Sequence, residues 1–275
     1  MREETEMRPK PMVSVGGRPI LWHIMKTFAH FGHKEFVLPL GYKGEQIKEY
    51  FLNYRAMNGD VTVDLGGDHS KMQYHDQSDE HDFRVTLAET GLESMTGCRL
   101  ARVERHLRNE TFLCTYGDGL CDVDLEKLLA FHRSHGRLAT VTSVRTISRF
   151  GIIKKTENGL VESFAEKPDT NSWINAGYFV FEPGVFSYAK NDPSQVLEKQ
   201  VMEALTADRQ LMAYNHDGFF YAMDTYREFL HLNELWDKGN APWAHWKNGT
   251  HHPENIKRRA AMNLLQPHGI PSSIA

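Results

Sequence analysis

Phe112-Leu-Cys-Thr-Tyr-Gly-Asp-Gly-Leu120 is the stretch that decides the fold. Its apolar first half predicts a buried strand. Gly117-Asp118-Gly119 predicts a sharp exit from the carboxyl end of that strand. Open α/β sheets bind ligands beyond the carboxyl ends of their strands, so Asp118 is placed where a metal–phosphate complex would be held. The flanking glycines let backbone come close to a ligand. Asp and Gly are also ordinary turn residues, and a plain strand followed by a turn accounts for the stretch equally well.

Working outward, Asp124 predicts a capped helix to about His135, stopped by Gly136, and Leu138 to Val144 predicts a central strand. Upstream, Ile20, Leu21, Ile24, Phe28 and Phe31 recur at helical spacing between Pro19 and Gly32. Glu35 to Leu40 predicts a strand that turns through Gly41-Tyr-Lys-Gly44 into a helix at about 45–54. A right-handed crossover puts such a strand in a parallel sheet. Segments 61–65 and 84–89 alternate like strands, 66–82 reads as an exposed loop, and a helix starts near Thr96. After Arg149-Phe-Gly the pattern becomes more antiparallel, with strands at 152–153, 160–165 and 174–181. Helices at about 184–190 and 195–207, short strands at 211–215 and 219–222, and a helix ending near Lys238 follow. Residues 247–275 read as an aperiodic tail with a short helix near 254–265.

The 275 residues suffice for one large α/β domain or two smaller ones, and 40% hydrophobic with 25% charged residues gives a real core. A net charge of −4 argues against a general nucleic-acid binder. The three cysteines show no metal-ligand spacing, and Cys114 is expected to face the core. No signal peptide and no apolar run near ~20 residues is present, so the expectation is a soluble cytoplasmic protein with no membrane partner.

The candidate site residues each allow two readings. Lys10, held between Pro9 and Pro11 in an extended turn, is a phosphate ligand or a surface lysine. Thr96-Gly97-Cys98-Arg99 opens a helix. It either binds an anion through backbone N–H groups and the guanidinium, or packs through Leu100 and Val103. Asp224 is a second isolated carboxylate or the N-cap of the last helix. Glu166-Lys167-Pro168 ends one strand, and Asn175-Ala176-Gly177 interrupts another, as happens where a ligand or backbone approaches closely. Taken together, two carboxylates and a divalent cation can clamp phosphoryl oxygens, and lysines offset the charge that builds at phosphorus. No Ser-His or Cys-His pairing stands out, so the nucleophile would come from the substrate.

The order of these motifs resembles the sugar-1-phosphate nucleotidyltransferases, and within them the cytidylyltransferase branch. The resemblance rests on Pro9-Lys-Pro-Met12, Gly17 to Met25, Gly41-Tyr-Lys-Gly44, Ile47 to Phe51, Thr90 to Leu100 and Tyr116-Gly-Asp-Gly119. It continues through Arg149-Phe-Gly151, Phe164 to Pro168, Ile174 to Phe179, Met223-Asp-Thr225 and Leu235 to Trp243. It implies a Rossmann-like, GT-A-like α/β fold: a mixed, mainly parallel sheet flanked by helices, with a smaller antiparallel sugar-binding part. The implied domain is 1–246, with a nucleotide half to about 145, a sugar half from about 146, and 247–275 as a tail.

The implied reaction joins CTP and glucose 1-phosphate into CDP-glucose and pyrophosphate, for deoxysugar and surface-polysaccharide (lipopolysaccharide O-antigen) precursors. A uridylyl- or thymidylyltransferase, or a non-catalytic homologue that binds nucleotide sugar or acts as a subunit partner, is the alternative. By resemblance, Asp118 and Asp224 hold Mg²⁺. Lys10 meets the triphosphate and the sugar phosphate. Thr96, Gly97 and Arg99 lie against the nucleotide. Glu166, Asn175 and Gly177 bind the sugar, and Lys167 pairs with the sugar phosphate. Oligomers of identical chains are implied, and the aromatic-rich 219–246 region offers either a contact or core packing. Members of the family open with an apolar strand and a Gly-Gly-x-Gly-Thr-Arg loop ahead of the segment where this sequence starts. The expected consequences are a gap or unpaired edge in the sheet and fewer donors around the triphosphate.

Overall fold

The computed structural model describes residues 7–66, 71–75, 79–147, 152–165, 169–247 and 272–274. Lys10–Met12 is a single 3-10 turn rather than the extended turn expected from its prolines. The fixed φ of proline suits the first turn of a helix as well as extended chain. A two-residue ribbon, β1 (Ser14–Val15) and β2 (Arg18–Pro19), folds over Gly16-Gly17. Helix α1 (Ile20–His30) follows, then β3 (Glu35–Leu40), α2 (Gly44–Leu52) and α3 (Tyr54–Asn58). The segment read as an exposed loop contains a strand: β4 (Val61–Asp64) pairs with β5 (Lys71–Tyr74) as an exposed antiparallel hairpin. Next come β6 (Arg84–Glu89), α4 (Thr96–Val103), β7 (Phe112–Thr115), β8 (Gly119–Cys121) and α5 (Leu125–His135). Helix α5 starts and stops as the sequence predicts: Asp124 accepts from the backbone of Glu126 and Lys127, and Gly136 adopts φ 63°.

The second half supplies β9 (Ala139–Ile147), β10 (Ile152–Lys155), β11 (Val161–Ala165) and β12 (Asp169–Phe181). After a one-turn π-helix at Leu197–Val201 come α6 (Met202–Ala207), β13 (Leu211–His216), β14 (Phe220–Ala222), α7 (Tyr226–Asp237) and β15 (Ser272–Ile274). Seven strands form one sheet in the order β13-β9-β12-β7-β15-β3-β6. Only β12 runs antiparallel to its neighbours, β7 and β9. The other pairings are parallel. The sheet is mixed and mainly parallel, as expected.

Strand alternation sorts the core into two layers. Phe36, Leu38, Leu40, Leu113, Tyr178 and Val180 face α1 and α5. Val37, Phe112, Cys114, Phe179 and Phe181 face α4 and the 197–205 helix. The aromatic-rich 219–246 region goes to packing: Trp243 is fully buried, and Trp236 meets His23 edge-on at 4.5 Å.

No gap opens beside β3. Ser272 and Ser273 pair with Phe36 and Val37 on one side, and 272–274 pair with Leu113, Cys114 and Thr115 on the other. A piece of the segment read as an aperiodic tail is thus a strand at the middle of the sheet. The helix expected near 254–265 lies outside the described residues.

Candidate active site

Strand β7 ends at Thr115, and the chain leaves through Tyr116-Gly117-Asp118 into β8. β8 pairs antiparallel with β14, with Ala222 opposite Gly119. Beyond that pair Met223 N donates to Asp118 O at 2.8 Å, so the ribbon holds Asp118 and Asp224 side by side although 106 positions separate them. Lys10, on its 3-10 turn, reaches both: Nζ lies 3.3 Å from Asp118 Oδ2 and 2.8 Å from Asp224 Oδ1. The two carboxylate oxygens are therefore no more than about 6 Å apart, with a positive charge between them.

Asp224 does not cap α7. Thr225 does, accepting from Glu228 N, while Glu228 Oε2 accepts from both Thr225 N and Asp224 N at 2.7 Å. This reciprocal capping box leaves the Asp224 side chain to Lys10. Burial raises the Asp118 carboxyl above the usual carboxylate range; Lys10 opposes that shift and Asp224 adds to it. Burial works against the Lys10 charge, but the two carboxylates outweigh it and hold its pKa above the usual lysine value. A second cation brought between the carboxylates would meet oxygen donors suited to a hard divalent ion.

The cluster opens into a pocket of about 570 Å³ lined by Lys10, Gly41, Thr96, Arg99, Tyr116, Asp118 and Glu198, with Leu21, Leu38 and Leu40 forming an apolar wall. Arg99 spreads under it, donating to Ser94 O at 2.8 Å and Pro39 O at 3.4 Å. Gly41 has no side chain to block that guanidinium; a Cβ there would overlap it. Thr96 Oγ1 donates to Glu198 Oε2 at 3.0 Å and accepts from Leu197 N at 2.9 Å. Gly97 is buried, and its N–H donates to Gln195 O, as does that of Cys98. The start of α4 is therefore not an open anion site. The Gly97 and Cys98 donors are already bonded to Gln195, in the segment leading into the π-helix.

Gly177 has φ 73°, and a Cβ there would overlap the Tyr116 ring. What comes close to this interrupted strand is thus an aromatic side chain of the site. Asn175 Oδ1 accepts from Gly177 N at 2.7 Å, and its Nδ2 lies 3.4 Å from Tyr116 Oη. Tyr116 in turn donates to Glu198 Oε1. Glu166 and Lys167 lie outside the described residues.

Sequence reading missed Glu198 and Tyr116. The π-helix that turns Glu198 inward leaves no period in the sequence, although such turns are frequent at functional sites. Tyr116 sat in plain view between the strand and Asp118.

A family model described as Nucleotidyl transferase matches residues 3–243. A probable glucose-1-phosphate cytidylyltransferase from Bacillus subtilis is 39% identical over 246 residues, covering 90% of this chain and 95% of that one. A glucose-1-phosphate cytidylyltransferase from Salmonella typhi is 43% identical over 249 residues, with the same coverage. Among solved structures, HddC from Yersinia pseudotuberculosis superposes with a TM-score of 0.59 at 17% identity, over 83% of this chain and 90% of the other. An apo UDP-glucose pyrophosphorylase gives 0.59 at 12% identity, over 87% and 94%. At those identities the structures speak to the fold alone, and they agree with a mixed α/β sheet. With the matched model spanning most of the sequence, the chain belongs to the nucleotidyl transferase family.

Proposed function

We propose that this chain transfers a cytidylyl group from CTP to α-D-glucose 1-phosphate, releasing pyrophosphate. The observation that carries the proposal is the meeting of Asp118, Asp224 and Lys10 beside a pocket that Lys10 and Asp118 line. The names and 39–43% identity of the two cytidylyltransferase relatives support the choice of base and sugar. Asp118 and Asp224 would hold Mg²⁺, whose donor preference their oxygens satisfy. When bound, that ion supplies positive charge against the phosphoryl oxygens of the nucleotide.

Lys10 does the remaining work at this end of the pocket. Its ammonium, now shared by two carboxylates, is placed to swing onto triphosphate and sugar-phosphate oxygens and to balance their charge during displacement. A sugar-phosphate oxygen forms the new bond to the α-phosphorus, the bond from that phosphorus to the β-phosphate bridge breaks, and pyrophosphate leaves with its electron pair. No protein nucleophile is required. Thr96 and Arg99 form the nucleotide wall, with Gly97 packed behind them. Asn175, Gly177 and Glu166 would bind the sugar, and Lys167 its phosphate.

Assembly into oligomers of identical chains belongs to the same proposal and is read by light-scattering mass. The activity is tested by pyrophosphate release. Release with CTP and glucose 1-phosphate in preference to UTP or dTTP supports the proposal. A preference for another nucleotide reassigns the base. No release with any nucleotide favours a member that binds nucleotide sugar without turning it over.

A further inference from the structure

The ribbon that pairs the two aspartates has a second end, and a different set of side chains gathers there. β8 ends in Cys121, and Asp122 follows it, about 13 Å along the chain from Asp118 at ~3.3 Å per residue. On the opposite strand Phe219 leads into β14, and His216 closes β13. A Cys121 sulfur, an Asp122 carboxylate oxygen and a His216 ring nitrogen all lie within 4.8 Å of one another. Asp122 Oδ1 accepts from Phe219 N at 2.7 Å and meets His216 Nε2 at 2.8 Å. Gly218 makes this approach possible, because a Cβ there would overlap both Asp122 Oδ1 and the His216 ring. His245 lies near this group but outside the 4.8 Å cluster: its ring hydrogen-bonds the Asp122 backbone and feels the Asp122 and His216 charges, and its Nε2 is buried without a hydrogen-bond partner.

We propose that Cys121, Asp122 and His216 form a binding site for Zn²⁺ or a chemically similar borderline-soft divalent ion, with His245 as the fourth ligand. Thiolate, imidazole and carboxylate together are a zinc donor set, and Mg²⁺ does not use sulfur or imidazole. Tetrahedral zinc with ordinary bond lengths needs its N and O ligands about 3.4 Å apart and its S about 3.6 Å from either. The His216–Asp122 contact must open by about 0.6 Å, and the sulfur must move in by up to about 1.2 Å.

The exchange of protons is simple. The Cys121 thiol loses its proton to solvent as the sulfur–metal bond forms. The imidazole stays neutral, its proton shifting to Nδ1 so that the Nε2 lone pair binds the ion. The four groups come from three distant segments, which is why the cysteine spacing alone gave no metal signature. The ion would fasten β8, the 216–219 turn and the 245 segment at one end of the ribbon. The other end of the same ribbon sets the register of Asp118 and Asp224.

The test uses the full chain, stripped with a chelator and titrated with Co²⁺ as the spectroscopic probe. Cobalt bound by a thiolate gives a strong near-ultraviolet charge-transfer band that oxygen ligands do not give. One equivalent of Co²⁺ should produce the band in the wild type, and the band should vanish in C121S and in H216Q. H216Q is the second variant because Cys121 is fully buried, whereas the His216 side chain is 13% exposed and tolerates exchange better. No band in the wild type overturns the proposal. A band that persists in C121S overturns it, since Cys98 or Cys114 would then be the ligand, and a band unchanged in H216Q overturns it, since His216 would then not be a ligand. Either failure leaves the Asp118–Asp224 reading untouched, because that pair offers oxygen alone.

Discussion

Replacing Asp118 by Asn separates a site residue from a structural one. Taken at an effective dielectric of about 20, the 3.3 Å contact with Lys10 corresponds to roughly 5 kcal/mol of attraction. The repulsion from an Asp224 oxygen no more than about 6 Å away corresponds to roughly 3 kcal/mol or more. Lys10 and Asp224 are 40% and 48% exposed, so solvent reduces both effects, and a pair of this kind contributes about 1 kcal/mol or less. The variant also loses the burial cost of a carboxylate whose pKa is already pushed up. Lys10 keeps its 2.8 Å contact with Asp224. Asp118→Asn should therefore change unfolding free energy by no more than about 1 kcal/mol in either direction, a Tm change within about 4 °C. Turnover should fall at least about 100-fold, as expected when a group that holds transition-state charge is removed. Urea unfolding and pyrophosphate release measure the two halves. A stability loss above about 3 kcal/mol would mean the pair is structural, and full turnover would mean Asp118 takes no part.

Other predictions follow from neighbouring observations. His23 is buried with Nε2 against Val15 O at 2.8 Å and Nδ1 accepting from Trp243 Nε1 at 3.2 Å, and burial lowers its pKa to about 4. A depressed folded-state pKa makes stability full above about pH 6.5 and lost as pH falls toward 4, by roughly 3 kcal/mol in all. Denaturant unfolding should show that slope, and His23→Gln should flatten it. Gly177→Ala should cost about 1–3 kcal/mol, from its positive φ and the displaced Tyr116 ring, and should raise KM for the sugar phosphate. Removing 248–275 should cost about 2–4 kcal/mol, because β15 bonds to strands on both sides at about 1 kcal/mol per hydrogen bond. An unchanged urea midpoint would contradict the central placement of β15.

Local chemistry made much of this legible. Gly117-Asp118-Gly119 announced a strand exit, Asp124 and Gly136 bracketed α5, and the apolar run 35–40 became β3, because each depends on residues within a few positions. The role of Asp224 was ambiguous when judged by its position before a helix. Thr225 with Glu228 three residues later carries the capping-box spacing and takes that role. Three features were out of reach for a reason of range. β15 forms only because β3 and β7 stand apart by one strand width, which no window around residue 273 can report. The amides of Gly97 and Cys98 are used up by Gln195, nearly 100 positions away. Glu198 faces the pocket through a π-turn that ordinary helical periodicity hides.

Binding of Mn²⁺ in the presence of CTP, followed by electron paramagnetic resonance, tests the convergence of the two aspartates without depending on turnover. Wild-type chain should take up a nucleotide-dependent ion, and Asp118→Asn and Asp224→Asn should each abolish that same uptake. Undiminished uptake by either variant would contradict a shared site.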